Sequence, residues 1–101
     1  MDDQGRTLTK YAVLAVNAVP DEPYLLEAKR NEIEKYIYGR FFFLEKRATN
    51  EKIRDRQVFD LYFLVEEHYI DQIIPRLGSG LLWARRATRE ESAELGLRVA
   101  A

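Results

Sequence analysis

VFDLYFLV, residues 58–65, carries seven apolar or aromatic side chains and a single charge, Asp60. An extended chain sends alternate side chains to opposite faces. Phe59, Leu61, Phe63 and Val65 then share one face, and Val58, Asp60, Tyr62 and Leu64 the other. Both faces are greasy, so a strand here needs cover on two sides.

The flanking sequence supplies the rest of a sheet. LTKYAVLAVNAV (residues 8–19) is rich in β-branched and aromatic residues and reads as a first strand, ended by Pro20. Its two faces are Tyr11, Val13, Ala15, Asn17 and Ala12, Leu14, Val16, Ala18. A helix follows over residues 22–38. Asp21 is a capping residue and Pro23 sits in the first turn, where its missing N–H is harmless. Leu26, Ile33 and Ile37 recur at helical spacing, and Gly39 is placed for a left-handed C-terminal residue. RFFFLEKRA (40–48) reads as a second strand. TNEK (49–52) turns the chain into a third strand over 53–65, with the charged span 45–57 projecting as a hairpin. HYIDQII (68–74) is a short helix that stops or kinks at Pro75. Gly78-Ser79-Gly80 is a turn, and GLLWARRA (80–87) a fourth strand. Thr88 and Glu91 have capping-box spacing and open a brief helix over 89–95, with Gly96 as its stop.

The expected fold class is therefore α+β, a ferredoxin-like split β-α-β-β-α-β. It has a four-stranded antiparallel sheet, two helices on one face and a short C-terminal helical appendage. At 101 residues the chain is expected to be a single α+β domain: a flexible start (1–7), a core (8–87) and a C-terminal appendage (88–101). This element order is similar to that of a small ribosomal protein, of ACT-type regulatory domains and of dimeric α/β-barrel proteins. The resemblance is one of order alone, and no motif carries residues across.

Two helices on one face leave the other open. Val58, Asp60, Tyr62 and Leu64 would lie there with Tyr11, Val13, Ala15 and Asn17. Phe41, Phe43, Glu45 and Arg47 would join them from the second strand. Each large apolar side chain left in water forgoes about 1.5–3 kcal/mol relative to burial, and contiguous apolar patches mark interaction sites. The expected cover is a second copy of the chain, since symmetric homo-oligomers are the commonest assemblies. The alternatives are a folded-back C-terminal segment, a ligand or a different protein. Arg47 and Asp60 lie on neighbouring strands and are expected to pair, because a buried charge needs a partner.

Composition narrows the chemistry. There is no cysteine, which removes thiolate nucleophiles, disulfides and cysteine-held metals and fits a reducing compartment. The polar, acidic start is unlike a signal peptide, and no apolar run approaches the ~20 residues that span a bilayer. The expected location is cytoplasmic. His68 is alone, without a zinc-binding partner motif, and reads first as a surface histidine at a helix start. LGSGL around Ser79 is a turn, not a nucleophile elbow, and phosphate-loop motifs are missing. No cofactor or metal is called for.

The reading that follows is a small non-enzymatic interaction or regulatory module. It oligomerises through its sheet and binds a protein or small ligand at the sheet face or subunit junction. The contact candidates are Tyr11, Phe43, Tyr62 and Trp83, with Asp60 and Arg47 setting orientation. A first alternative is RNA binding through the basic 46–56 hairpin and the 85–89 arginines, namely Lys46, Arg54, Arg56, Arg85 and Arg86, beside aromatic rings that stack on bases. Against it, RQVFDLYF (56–63) lacks the glycine of the RNA-recognition signature and places Asp60 among the stacking positions, and the net charge is −1. A second alternative is a cofactor-free enzyme of the dimeric α/β-barrel kind, with His68 or Asp60 carrying a proton.

Overall fold

Residues 58–65 lie in strand β3 (Arg56–Glu66), where 61–65 form the longest buried run of the sheet. The computed structural model describes residues 10–79 and 83–100. The expected flexible start, Gly80 of the expected turn and the first residues of the expected fourth strand fall outside them. In order, the elements are β1 (Tyr11–Ala18), a 3-10 turn (Pro23–Leu25), α1 (Leu26–Glu34), β2 (Phe41–Ile53), β3, α2 (Glu67–Ser79), β4 (Ala84–Arg86) and α3 (Arg89–Ala100). The fold is α+β: one antiparallel four-stranded sheet in the order β2-β3-β1-β4, with three helices.

Register puts both faces of β3 to use. Leu14 faces Phe63 and Val16 faces Leu61 across the β1–β3 ladder, and Val13 faces Leu64 and Ala15 faces Tyr62 on the other side. The first set joins Ile33 and Ile37 with Ile70, Ile73 and Leu77 of α2 in the main core. The second set packs against Leu95 of α3, which is wholly buried. The sheet is therefore covered on one side by α1 and α2 and on the other by the chain's own C-terminal helix.

Several boundaries move for identifiable reasons. Strand β2 runs to Ile53, and the chain reverses at Arg54-Asp55, not at residues 49–52. Both turn residues have positive φ, 52° and 66°, as a two-residue hairpin turn matched to strand twist requires. Residues 49–51 are instead a bulge in β2. The Thr49 hydroxyl donates to the Val58 carbonyl (2.8 Å) and the Gln57 amide to the Thr49 carbonyl (2.6 Å), replacing ladder bonds that the bulge breaks. Helix α1 is shorter than its apolar spacing implies. Asp21 pairs with Arg56 at 2.7 Å rather than capping, and after Glu34 the chain tightens into i→i+3 bonds to Ile37. Helix α2 continues past Pro75 to Ser79. Pro75 is exposed, while Leu77 beyond it extends the buried stripe of Ile70 and Ile73, so packing offsets the missing N–H. Helix α3 likewise runs through Gly96 to Ala100.

A second bulge changes which face β2 presents. Phe43 pairs with Phe63, but Glu45 pairs with Tyr62, so Leu44 is an extra residue. Strict alternation places Phe41 and Phe43 on the same face as Glu45 and Arg47. The bulge separates them. Phe41 and Phe43 pack into the α1/α2 core, edge-on to Phe63, whereas Leu44 packs on the α3 side.

Gly39, between α1 and β2, has φ +74° as its spacing implies. A Cβ there would collide with Glu66 Oε2 and lie 2.8 Å from Tyr69 Cε2. That close approach lets Glu66 accept the Arg40 N–H at 2.6 Å. Gly39→Ala is expected to destabilise the fold by about 1–3 kcal/mol, read as a lower urea midpoint with an unchanged slope.

Candidate functional site

The polar groups of the α3-covered face are brought together by register. Asn17 and Asp60 are direct cross-strand partners, and the Asn17 amide donates to Asp60 Oδ1 at 2.5 Å. Two residues along, Tyr62 is 1% exposed and sends its hydroxyl to Glu91 Oε2 of α3 at 2.5 Å. Glu91 is the capping-box residue: its Oε1 accepts the Thr88 N–H at 2.8 Å, and its own N–H donates to Thr88 Oγ1 at 3.1 Å. Arg85 of β4 grips the same carboxylate with both terminal nitrogens, at 2.9 and 3.2 Å, and stands 3.8 Å from Asp60.

Arg47 and Asp60 are opposite each other in the β2–β3 ladder, yet the expected pair does not form. The Arg47 guanidinium donates to Glu45 on its own strand and to Glu94 of α3, and lies 5.4 Å above the Tyr62 ring. Glu94, one helical turn after Glu90, gives Arg47 a nearer partner once α3 is docked. Asp60 is served by Asn17 instead.

These contacts fix protonation states. Bonds from Arg85, helped by Tyr62 and the Thr88 N–H, hold the Glu91 carboxyl down at about 2, overcoming the upward push of burial. Burial, then the bond to Glu91, pushes the Tyr62 phenol up to about 12. Bonds to Glu91 and to Glu45 and Glu94 raise Arg85 and Arg47 further still. A group that exchanges protons in catalysis works best with a pKa near the working pH. Tyr62 and Glu91 are both displaced away from neutrality, which suits a structural clamp.

The other expected site residues scatter. Tyr11 lies at the edge of the α3 side, its ring centroid 6.2 Å from that of Phe42. Trp83 is 62% exposed, and its carbonyl accepts the Asn17 N–H at 2.7 Å. Phe43 is on the α1 side under the Arg30 guanidinium, 4.8 Å from ring centroid to Cζ, and Lys46 lines the same cleft. Arg54 is at the hairpin tip. Arg56 is bound to Asp21, Arg85 to Glu91, and Arg86 to Asp71 of α2 at 3.2 Å. The basic residues thus do not converge on one surface, and three of them already face carboxylates. His68 is exposed, its ring tilted against that of Tyr69 at 4.1 Å between centroids and its Nε2 3.7 Å from Glu66 Oε1.

Glu91 and Glu94 escape a sequence search for site residues. The available signal is Thr88-x-x-Glu91 followed by Leu95: a capped helix whose first turn and one buried leucine fall on the same face. Among the described residues no group of His, Asp and Glu side chains is arranged to hold a metal ion, and no helix is long and apolar enough to cross a membrane. A scan against protein-family models and a search of curated proteins found no match for this sequence.

The pKa displacements set a pH window. Glu91 contributes stability that is present above its ordinary 4.5 and lost as pH falls towards 2. Tyr62 contributes stability that is present below its ordinary 10 and lost as pH rises towards 12. In urea unfolding at stepped pH, Glu91→Gln is expected to lie about 1–3 kcal/mol below the parent at neutrality, the gap closing below pH 4.5. Tyr62→Phe should show its own gap closing above pH 10. Gaps that stay constant with pH would place these groups outside the clamp.

Proposed function

We propose that the chain is a small non-enzymatic interaction module that self-associates through the part of its sheet that α3 leaves bare. One observation carries the reading. On the α3 side Val13, Ala15, Tyr62, Leu64 and Leu95 are buried, but Phe42, on the outer strand of the same face, is 51% exposed. It sits between the Tyr11 ring and Leu44, an apolar strip at the sheet's margin. Charged side chains of Glu45 and Arg47 continue the strip along β2 and supply polar contacts for a rim. A second copy related by a two-fold would bury Phe42 against its own counterpart region. A protein or small ligand at the subunit junction would meet Tyr11 and Phe42 first, with Arg47 beside them.

The split β-α-β-β-α-β arrangement of ferredoxin-like domains belongs to the same proposal. The order β2-β3-β1-β4 supports it, because β3 lies between β1 and β2 and each strand pair is antiparallel. That layout reserves the face opposite α1 and α2 for contacts, and here α3 takes up most of it. Tyr62 is consequently a support of the interface rather than a contact within it.

Light scattering of the purified protein is expected to give the mass of a dimer. Phe42→Glu should weaken association by about ten- to a hundredfold, since it forfeits one large apolar side chain at the interface. Phe42 is half in solvent, so the folded chain should keep its circular dichroism. A parent protein that remains monomeric at high concentration rejects self-association.

A further inference from the structure

On the opposite face, α1 and β2 do not close against each other. Between them is a cleft of about 150 Å³ lined by Leu26, Glu27, Arg30, Phe43, Lys46 and Leu61. Its floor is apolar: Leu26 and Leu61 belong to the core, and Phe43 packs against it. Two cations stand at its walls, Arg30 from the helix and Lys46 from the strand. Glu27 is turned largely to solvent.

Arg30 is the informative group. Its Nε is buried without a hydrogen bond. Glu34 Oε2 is 3.5 Å from Nε and Glu27 Oε2 3.8 Å from Nη2. Both are near enough to pair in charge, but charge-assisted bonds form at about 2.7–2.9 Å. A guanidinium offers five N–H donors in a planar fork suited to a carboxylate. Here its Cζ lies 4.8 Å from the centroid of the Phe43 ring, while Nε is left without a hydrogen bond.

We infer that this cleft binds a small monocarboxylate with a branched-alkyl or aryl body, the carboxylate on Arg30 and Lys46 and the apolar body on Leu26, Phe43 and Leu61. The size agrees. A cavity of about 150 Å³ accepts a body the size of benzene, and the volume here is about 150 Å³. Charge bears on it as well: of the side chains that line the cleft two are cations and one is a carboxylate turned largely to solvent, while Glu34, the other neighbour of Arg30, is not part of the lining. A neutral apolar guest would leave the Arg30 fork as it is, and a compact anion would leave the floor wet. The site lies on the face away from Phe42 and does not depend on self-association.

The test uses the full chain, amide-resolved NMR and four probes: benzoate, 3-methylbutanoate, benzyl alcohol and acetate. Benzoate and 3-methylbutanoate are expected to give saturable shifts confined to residues 26–30, 43–46 and 61. Benzyl alcohol and acetate should give much weaker ones. Arg30→Gln is expected to weaken the carboxylates about tenfold or more, as the loss of a charge-assisted bond implies. Lys46→Gln, at an exposed position, should weaken them to a lesser extent without disturbing the fold. Equal binding of benzyl alcohol would make the cleft a plain apolar hole, and equal binding of acetate a plain anion site. Either result overturns the inference, as does the absence of shifts at these residues or indifference to both substitutions. Because the readout is residue-specific shift and not mass, its outcome is separate from that of the Phe42 experiment.

Discussion

A sheet whose two central strands carry apolar side chains on both sides needs two covers, and Tyr62 is where the second one is secured. Its ring must leave water and its hydroxyl must keep a hydrogen-bond partner. The docked α3 meets both needs. Leu95 and the strand residues bury the ring's surroundings, and Glu91 accepts the hydroxyl. Glu91 also caps the helix that carries it and receives Arg85 from β4. The start of the helix, its attachment to the sheet and the anchoring of a three-residue edge strand therefore share one carboxylate. Groups coupled in this way act as a unit, so removing any one member disturbs the others more than a pairwise sum implies.

Charge placement follows from that attachment. Arg47 has Asp60 across the ladder and Glu45 on its own strand, and α3 brings Glu94 to it, so that Arg47 spans from sheet to helix over the Tyr62 ring. Asp60 is left to Asn17, its ladder partner. The face that looked like a bare contact surface is thus largely internal, and what remains open is its outer margin on β2.

The sequence makes some of this legible and hides the rest for physical reasons. Alternation in VFDLYFLV and in YAVLAVNA identifies the two central strands and both of their faces, because neither strand is interrupted. The Thr88-x-x-Glu91 box marks the start of α3, and Gly39 the left-handed turn between α1 and β2. Strand β2 defeats alternation. One extra residue at Leu44 exchanges the faces, and nothing in FFFLEK distinguishes a bulge from a regular strand. Thr49-Asn50 carries the usual turn chemistry, yet the chain turns at Arg54-Asp55, since the Gln57 and Thr49 side chains stabilise a bulge where the turn was expected. Pro75 and Gly96 are breakers only on average, and the packing of Leu77 prevails over the former. Of the expected site residues, Arg47, Asp60 and Tyr62 converge, because they lie on the neighbouring strands β2 and β3. Phe43 departs with the bulge, and Trp83 stays in solvent.

The two irregularities of β2 bear on how the molecule behaves when crowded. It is the outermost strand on its side of the sheet, and a long, flat, uninterrupted border of that kind is a template for runaway stacking of chains into fibrils. Leu44 and residues 49–51 cut its pairing with β3 into short segments, and bulges of this kind bend a strand. The regularly paired stretches are Phe41–Phe43, Glu45–Ala48 and Lys52–Ile53, each shorter than the about six or seven residues typical of a cross-β segment. The same kinks that obscure the strand's faces in the sequence keep its rim from zipping onto strangers.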